Sequence, residues 1–198
     1  MAKPLVTLAR LLRWASAVQA IKNRLFNALA SGLTGQRVSV DWRDLKIVHP
    51  QAIHIGPQFA CGRSVWLESV DGRGRIEIGA QVNFSDQVHI GAYDRVQIGD
   101  GVLLGSRVLI TDHSHGASPR APDFDFAVPP NQRPIVSKGP VVIGPRVWLG
   151  DGVCVLAGVT VGEGAIVGAN SVVVCDVPAR TVWAGVPARQ VWPQEQDK

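Results

Sequence analysis

The chain has 198 residues, 46% of them hydrophobic and 18% charged, and a net charge of +4. No apolar run approaches the ~20 residues needed to span a bilayer, and the length suits one domain with a sizeable core and a small appendage. The charge is uneven: residues 1–40 hold Lys3, Arg10, Arg13, Lys22, Arg24 and Arg37 and no acid, so the remainder carries about −2. A body without a basic stripe or interleaved aromatics excludes a nucleic-acid binder.

The first element in the chain is an arm, residues 1–35. Leu11, Trp14, Val18, Ile21, Leu25 and Leu29 recur at helical spacing with arginines and lysines between them, which predicts an amphipathic α-helix. Ser31-Gly32 and Thr34-Gly35 are its stop signals. Two readings of the arm stand, and the apolar stripe suits both: packing on the end of the domain, or adsorption of residues 1–30 to anionic lipid. The three cysteines, Cys61, Cys154 and Cys175, have no paired or metal-ligand spacing and are expected to be buried small hydrophobes in a reducing compartment.

From about residue 53 the chain repeats with a period of six. Ile78-Gly79, Ile90-Gly91, Ile98-Gly99, Leu104-Gly105, Ile143-Gly144, Leu149-Gly150, Val161-Gly162 and Val167-Gly168 are aliphatic-Gly beats, and Phe84, Ile110, Val155 and Val173 fill the missing ones. A second aliphatic stands two residues before most beats: Ile76, Val82, Val88, Val96, Val102, Val108, Val141, Val147, Val153 and Val159. Two inward residues flanking one outward residue is the alternation of a short strand. The following glycine is expected to supply unusual backbone angles at a corner. Such a pattern predicts parallel strands wound around a narrow aliphatic interior over residues 36–192, followed by a tail, 193–198. The phase is ragged before residue 78 and slips by two residues around Ala92-Tyr93-Asp94. It breaks entirely after Ile110, where a Pro-rich loop, 111–140, opens with Thr111-Asp112-His113-Ser114-His115-Gly116.

The run from Val141 to Val191, with its Val-Trp-Leu-Gly and Gly-Val-Pro-Ala-Arg segments, closely resembles the hexapeptide-repeat acyltransferases. Within them it is most similar to the O-acetyltransferases of lipopolysaccharide and exopolysaccharide synthesis and to the galactoside and maltose acetyltransferases. The resemblance implies a mainly β fold, a left-handed parallel β-helix, acting as a homotrimer with acetyl-CoA as co-substrate and a sugar or glycan as acceptor.

Acetyl transfer to an alcohol needs a base that removes the hydroxyl proton as the new bond forms, and a neutral imidazole within hydrogen-bond reach suits this near pH 7. By position in the resembling family, His113 is the general base and His115 a second catalytic histidine that orients the acceptor or exchanges roles with it. Asp112 is expected to be a turn residue, because neighbours in extended backbone point apart. Asn83-Phe84 resembles a sugar-acetyltransferase motif, which implies that the Asn83 amide contacts the sugar, donating to and accepting from one hydroxyl, with Asp86 and Asp94 as nearby candidates. His89 is expected to point outward at the surface or to line the cleft. For acetyl-CoA the resemblance implies Trp148 at the pantetheine end, Gly150, Asp151 and the backbone at Ala169 along it, and Arg189 near the nucleotide, with Arg146 and Arg180 able to add to phosphate binding. Val174-Cys175 and Asp151 depart from the residues familiar there.

A zinc site is the competing use of the histidines. The related coil of the gamma-class carbonic anhydrases binds zinc through three histidines, but no pair among His89, His113 and His115 has its spacing, so no metal is expected. The expected activity is therefore acetyl-CoA-dependent O-acetylation of a sugar in surface polysaccharide or lipopolysaccharide synthesis. The alternatives are acetylation of a small amino sugar or xenobiotic, and a non-catalytic β-helix scaffold. The expected location is cytoplasmic, peripheral to the inner membrane.

Overall fold

The computed structural model describes residues 3–116 and 124–193. Residues 117–123 of the expected loop and 194–198 of the expected tail lie outside them. Helix α1, Lys3–Thr34, is followed by a solenoid of short strands in three sheets, of eight, six and five strands. The chain visits the sheets in turn: Ser39–Val40, Lys46–Val48 and Ile53–Ile55 make the first coil, and Ala60–Cys61, Trp66–Ser69 and Arg75–Ile78 the second. Every coil pairs in parallel with the next. Winding therefore begins at Ser39, earlier than the ragged hexapeptide phase indicated.

Register stacks like on like. Ile78, Ile98, Ile143 and Val161 form one inward column, and no inward residue named for the repeat is more than 3% exposed. Full burial of such side chains stabilises the coil by roughly 1.5–3 kcal/mol each. The long loop leaves after Thr111 and returns at Val141, which pairs with Val96, so the excursion costs the register nothing.

The corner glycines serve a different purpose from the one expected. None of the beat glycines has a positive φ. A Cβ at Gly99 would lie 2.7 Å from the backbone nitrogen of Pro145, and one at Gly162 2.4 Å from that of Ala179. The next coil simply passes too close for a side chain. The left-handed angles fall two residues later, at Gln81, Gly101, Arg107, Arg146 and Gly164 among others.

Asp86, Asp100, Asp151 and Asp176 recur at these corners. Each carboxylate accepts a backbone N–H of the preceding coil, from Arg63, Ala80, Ser106 and Thr160 respectively. They satisfy donors that the short strands leave over.

Among the described residues, the arm is tied down only at its end. Asn27 donates to the Val40 carbonyl and accepts its N–H, both at 3.0 Å, completing the edge of the first strand. Ser31 accepts the Val38 N–H, and Gly35 leaves the helix in the left-handed region, as a C-terminal cap requires. The remainder does not pack on the coil: Trp14, Ile21 and Leu25 are 69%, 55% and 66% exposed. A 32-residue helix is about 48 Å long, and the anchoring residues all lie in its last turns. No helix among the described residues is long and apolar enough to cross a membrane. The cysteines differ from one another: Cys61 is buried, its thiol pushed up to about 12 by burial, while Cys154 is half-buried and Cys175 exposed.

Candidate active site

The loop is not a simple projection. Its base is a two-stranded antiparallel ribbon, His113–His115 against Ile135–Ser137. Its return limb is braced by Arg133, which lies over the Phe124 ring and donates to the Val128 carbonyl. Gly116, at φ 93, closes against Arg133. His113 and His115 are two apart in the ribbon and share a face; His113 is half-buried and His115 exposed.

Between the coil strand that ends at Thr111 and the ribbon that starts at His113, Asp112 sits at a bend and is fully buried. Its carboxylate accepts the N–H groups of Tyr93 and Asp94 at 2.8 and 2.7 Å, the two residues where the repeat slips. The same carboxylate lies 3.1 Å from Nδ1 of His113. Asp112 is thus more than the turn residue expected: because the chain bends there, neighbouring side chains converge instead of pointing apart. Burial works to raise the Asp112 carboxyl, but the bonds from His113, Tyr93 and Asp94 outweigh it and hold the group below its ordinary range.

An ionised carboxylate beside Nδ1 fixes the tautomer. Nδ1 carries the hydrogen and donates it to Asp112, which leaves the Nε2 lone pair free to accept a proton. Thr111 Oγ1, 3.2 Å from Nδ1, adds a second restraint. The His113 side chain is 16% exposed, enough to meet a substrate. Its Cε1 would lie 3.2 Å from a Cβ built on Gly91, so the ring leans over the strand His89–Ala92.

His89 is not a free surface side chain. Its ring stacks on Trp66 at 4.0 Å with an interplanar angle of 6°, and burial lowers its affinity for a proton despite the nearby Glu68 carboxylate. Sequence reasoning missed Glu68 and Trp66. Their only signal is register, since Glu68 pairs with Gly91 and Trp66 with His89.

The other candidates fall elsewhere. Asn83 is exposed on the eight-stranded sheet, in register through Leu103 with Trp148, whereas His89 and Thr111 belong to the six-stranded one. One chain therefore does not place Asn83 on the face that carries His113. Asp86 is engaged at its corner, bonded to the Arg63 N–H and paired with its side chain at 3.1 Å. Asp94 is exposed.

The residues expected along the donor do share one side of the coil. Trp148, 49% exposed, leads into Gly150-Asp151, and Gly150 lies against Ala169 of the next coil. Arg189 closes the same sheet through its pairing with Ala184 and donates to the Ala188 carbonyl. Arg146 is occupied by an ion pair with Glu163. Among the described residues, no group of three or more His, Cys, Asp or Glu is placed to hold a metal ion.

Comparison with known proteins agrees with this architecture. The bacterial transferase hexapeptide (six repeats) family matches residues 140–175. The chain is 44% identical over 139 residues to WbbJ of Escherichia coli K12, which is named as a lipopolysaccharide biosynthesis O-acetyl transferase, covering 70% of each chain. It is 31% identical over 173 residues to a protein of Mycobacterium tuberculosis named as an acetyltransferase, covering 76% of this chain and 55% of that one. Among solved structures, a hexapeptide-repeat acetyltransferase of Vibrio cholerae, complexed with acetyl coenzyme A, superposes with a TM-score of 0.59 at 28% identity over 75% of each chain. The N-acyltransferase AntD of Bacillus cereus, solved with dTDP and 3-hydroxybutyryl-CoA, shares the fold with a TM-score of 0.66 at 21% identity over 78% of each chain. The chain belongs to the bacterial hexapeptide-repeat transferases, and it is an acyltransferase.

Proposed function

We propose that the chain transfers the acetyl group of acetyl-CoA to a hydroxyl of a sugar, in the assembly of lipopolysaccharide or another surface polysaccharide. The observation that carries this is His113, its Nδ1 tied to the buried Asp112 and its Nε2 lone pair free. The acceptor hydroxyl gives its proton to Nε2 as its oxygen bonds to the thioester carbonyl. Collapse of the adduct expels the CoA thiolate, which takes the proton back from the imidazolium. Asp112 steadies the positive charge in between. The name of the E. coli relative supports oxygen as the acceptor atom and a lipopolysaccharide precursor as the acceptor class, and the acetyl coenzyme A bound by the Vibrio relative supports the donor. Thiol release from acetyl-CoA with a panel of glycans tests the reading. Turnover with amines alone would replace it by N-acetylation, and CoA binding without turnover by a scaffold.

Two finer points belong to the same proposal. The working unit is a homotrimer, because Asn83 and Trp148 stand on a different sheet from His113, and Leu103, Trp148 and Val174 are exposed by 41%, 49% and 47%. A neighbouring chain's face against His113 would complete the cleft and cover them. Light scattering that finds a fully active monomer defeats this.

The arm rests on the cytoplasmic face of the inner membrane. Its uncovered Leu11, Trp14, Ile21 and Leu25 support this, as do basic residues with no acid before Asp41, each worth about 1 kcal/mol near an anionic surface. Sedimentation with anionic vesicles, at low and high salt, should separate the full chain from one lacking residues 1–30. Equal, negligible binding by both would leave the arm a structural role.

A further inference from the structure

We propose that Glu68 and His89 form an acceptor subsite beside His113, floored by Gly91, which holds a second hydroxyl of the sugar next to the one acetylated; this rests on the transferase reading above. Three neighbouring strands bring the groups together in register. Glu68, Gly91 and Thr111 make one column, and Trp66, His89 and Leu109 the next. A Cβ on Gly91 would lie 3.2 Å from His113 Cε1, 3.8 Å from His89 Nε2 and 3.9 Å from Thr111 Oγ1. Three polar side chains therefore converge on a spot that this chain leaves without a side chain. His113 Cε1 and His89 Nε2 are at most about 7 Å apart, close enough for two adjacent hydroxyls of one sugar to engage both rings through hydrogen bonds of about 2.8 Å.

His89 is built to be rigid but is left incomplete. Trp66 holds one face of its ring, and the Lys46 ammonium, on the strand at the other side of Trp66, sits 3.7 Å from the indole centre. Yet His89 Nε2 is buried and, among the described residues, has no hydrogen-bond partner. The Glu68 carboxylate oxygen Oε2 is 3.8 Å away, beyond hydrogen-bond range. A buried polar atom left this way costs free energy. Both side chains are part-exposed, and a small turn of the Glu68 carboxylate admits one hydroxyl oxygen between the two, accepting from Nε2–H and donating to the carboxylate, because a hydroxyl does both at once. The neutrality of His89, which its burial favours, keeps the Glu68 charge available for that bond.

The test uses the full chain, an acceptor it acetylates, and a set of analogues of that acceptor each lacking one hydroxyl. Glu68→Gln keeps the shape, and His89→Phe keeps the stack on Trp66 while removing the nitrogen. Each should raise the acceptor KM about 10–100-fold, as expected for loss of a hydrogen bond to a charged or buried group, with the KM for acetyl-CoA unchanged. The rise should vanish for one analogue only, the one lacking the neighbouring hydroxyl. Gly91→Ala should lower kcat/KM for every acceptor by filling the floor. Acceptor KM values within twofold of the parent in both Glu68→Gln and His89→Phe, or a rise equal across all analogues, overturns the subsite alone. A parent chain that acetylates no hydroxyl acceptor overturns the transferase reading and the subsite with it.

Discussion

Aspartates at the corners of this coil come in two kinds, and the contrast between them marks the candidate site. Asp86, Asp100, Asp151 and Asp176 each accept one backbone N–H from the preceding coil, and all remain in contact with water. Asp112 is completely buried, accepts two N–H groups from the slipped corner at Tyr93-Asp94, and holds His113 as well. An exposed corner aspartate saves one backbone donor; a buried one in a low-dielectric surround can hold a charge-assisted bond to an imidazole and fix its tautomer. The same residue type thus serves winding where the repeat is regular, and positioning where the repeat breaks.

Experiments that sharpen this contrast can be ordered by size. Replacing His113 by Ala should lower kcat by about 10²–10⁴-fold, the usual contribution of a positioned base, with CoA binding retained. A variant that keeps most of its turnover would move the base elsewhere, His115 being the first alternative. Asp112→Asn should lower kcat at least about tenfold, since an amide can present a hydrogen to Nδ1 and favour the wrong tautomer. It should also destabilise the fold by about 1–3 kcal/mol, because two buried N–H groups lose a charged acceptor. Chemical denaturation and steady-state kinetics read the two effects separately.

A smaller effect follows from acid. Asp112 is held below its ordinary 3.8 in the fold, so the folded chain binds that proton more weakly than the unfolded one. Its contribution is fully present above pH 3.8 and is lost as pH falls through the lower folded value. The stability gap between the parent and Asp112→Asn should therefore narrow below pH 3.8 and stay constant above it. A gap independent of pH would mean that the carboxylate charge is not what matters. The smallest effect belongs to Asp100→Ala, about 0.5 kcal/mol of stability at an exposed corner and no change in kcat. If it mimicked Asp112→Asn, the distinction between the two kinds of corner would collapse.

Much of the coil was legible because a hexapeptide period leaves few alternatives. Ile143, Leu149, Val155 and Val161 sit six-residue steps apart and can all face inward only if the chain winds. The helix was legible from its stripe, but its partner was not. Trp14 and Leu25 would look the same in sequence whether covered by a coil, another chain or lipid, and in the structure they are uncovered. The corner glycines were read correctly as necessary and wrongly as conformational, because close approach of the following coil is invisible until the coils are stacked.

The sequence by itself determined the winding, the aliphatic interior, the place where the loop interrupts it, and His113 as the imidazole at that interruption. All of these are periodic or local properties of the chain. Only the tertiary structure decided that Asp112 holds His113, because that contact depends on a bend at one residue and on N–H groups donated by Tyr93 and Asp94 from the coil before. It alone decided that Glu68, His89 and the bare Gly91 meet beneath the same ring. Such neighbours lie roughly twenty residues apart and are joined by register across strands about 4.8 Å apart, a distance that no reading along the chain can measure.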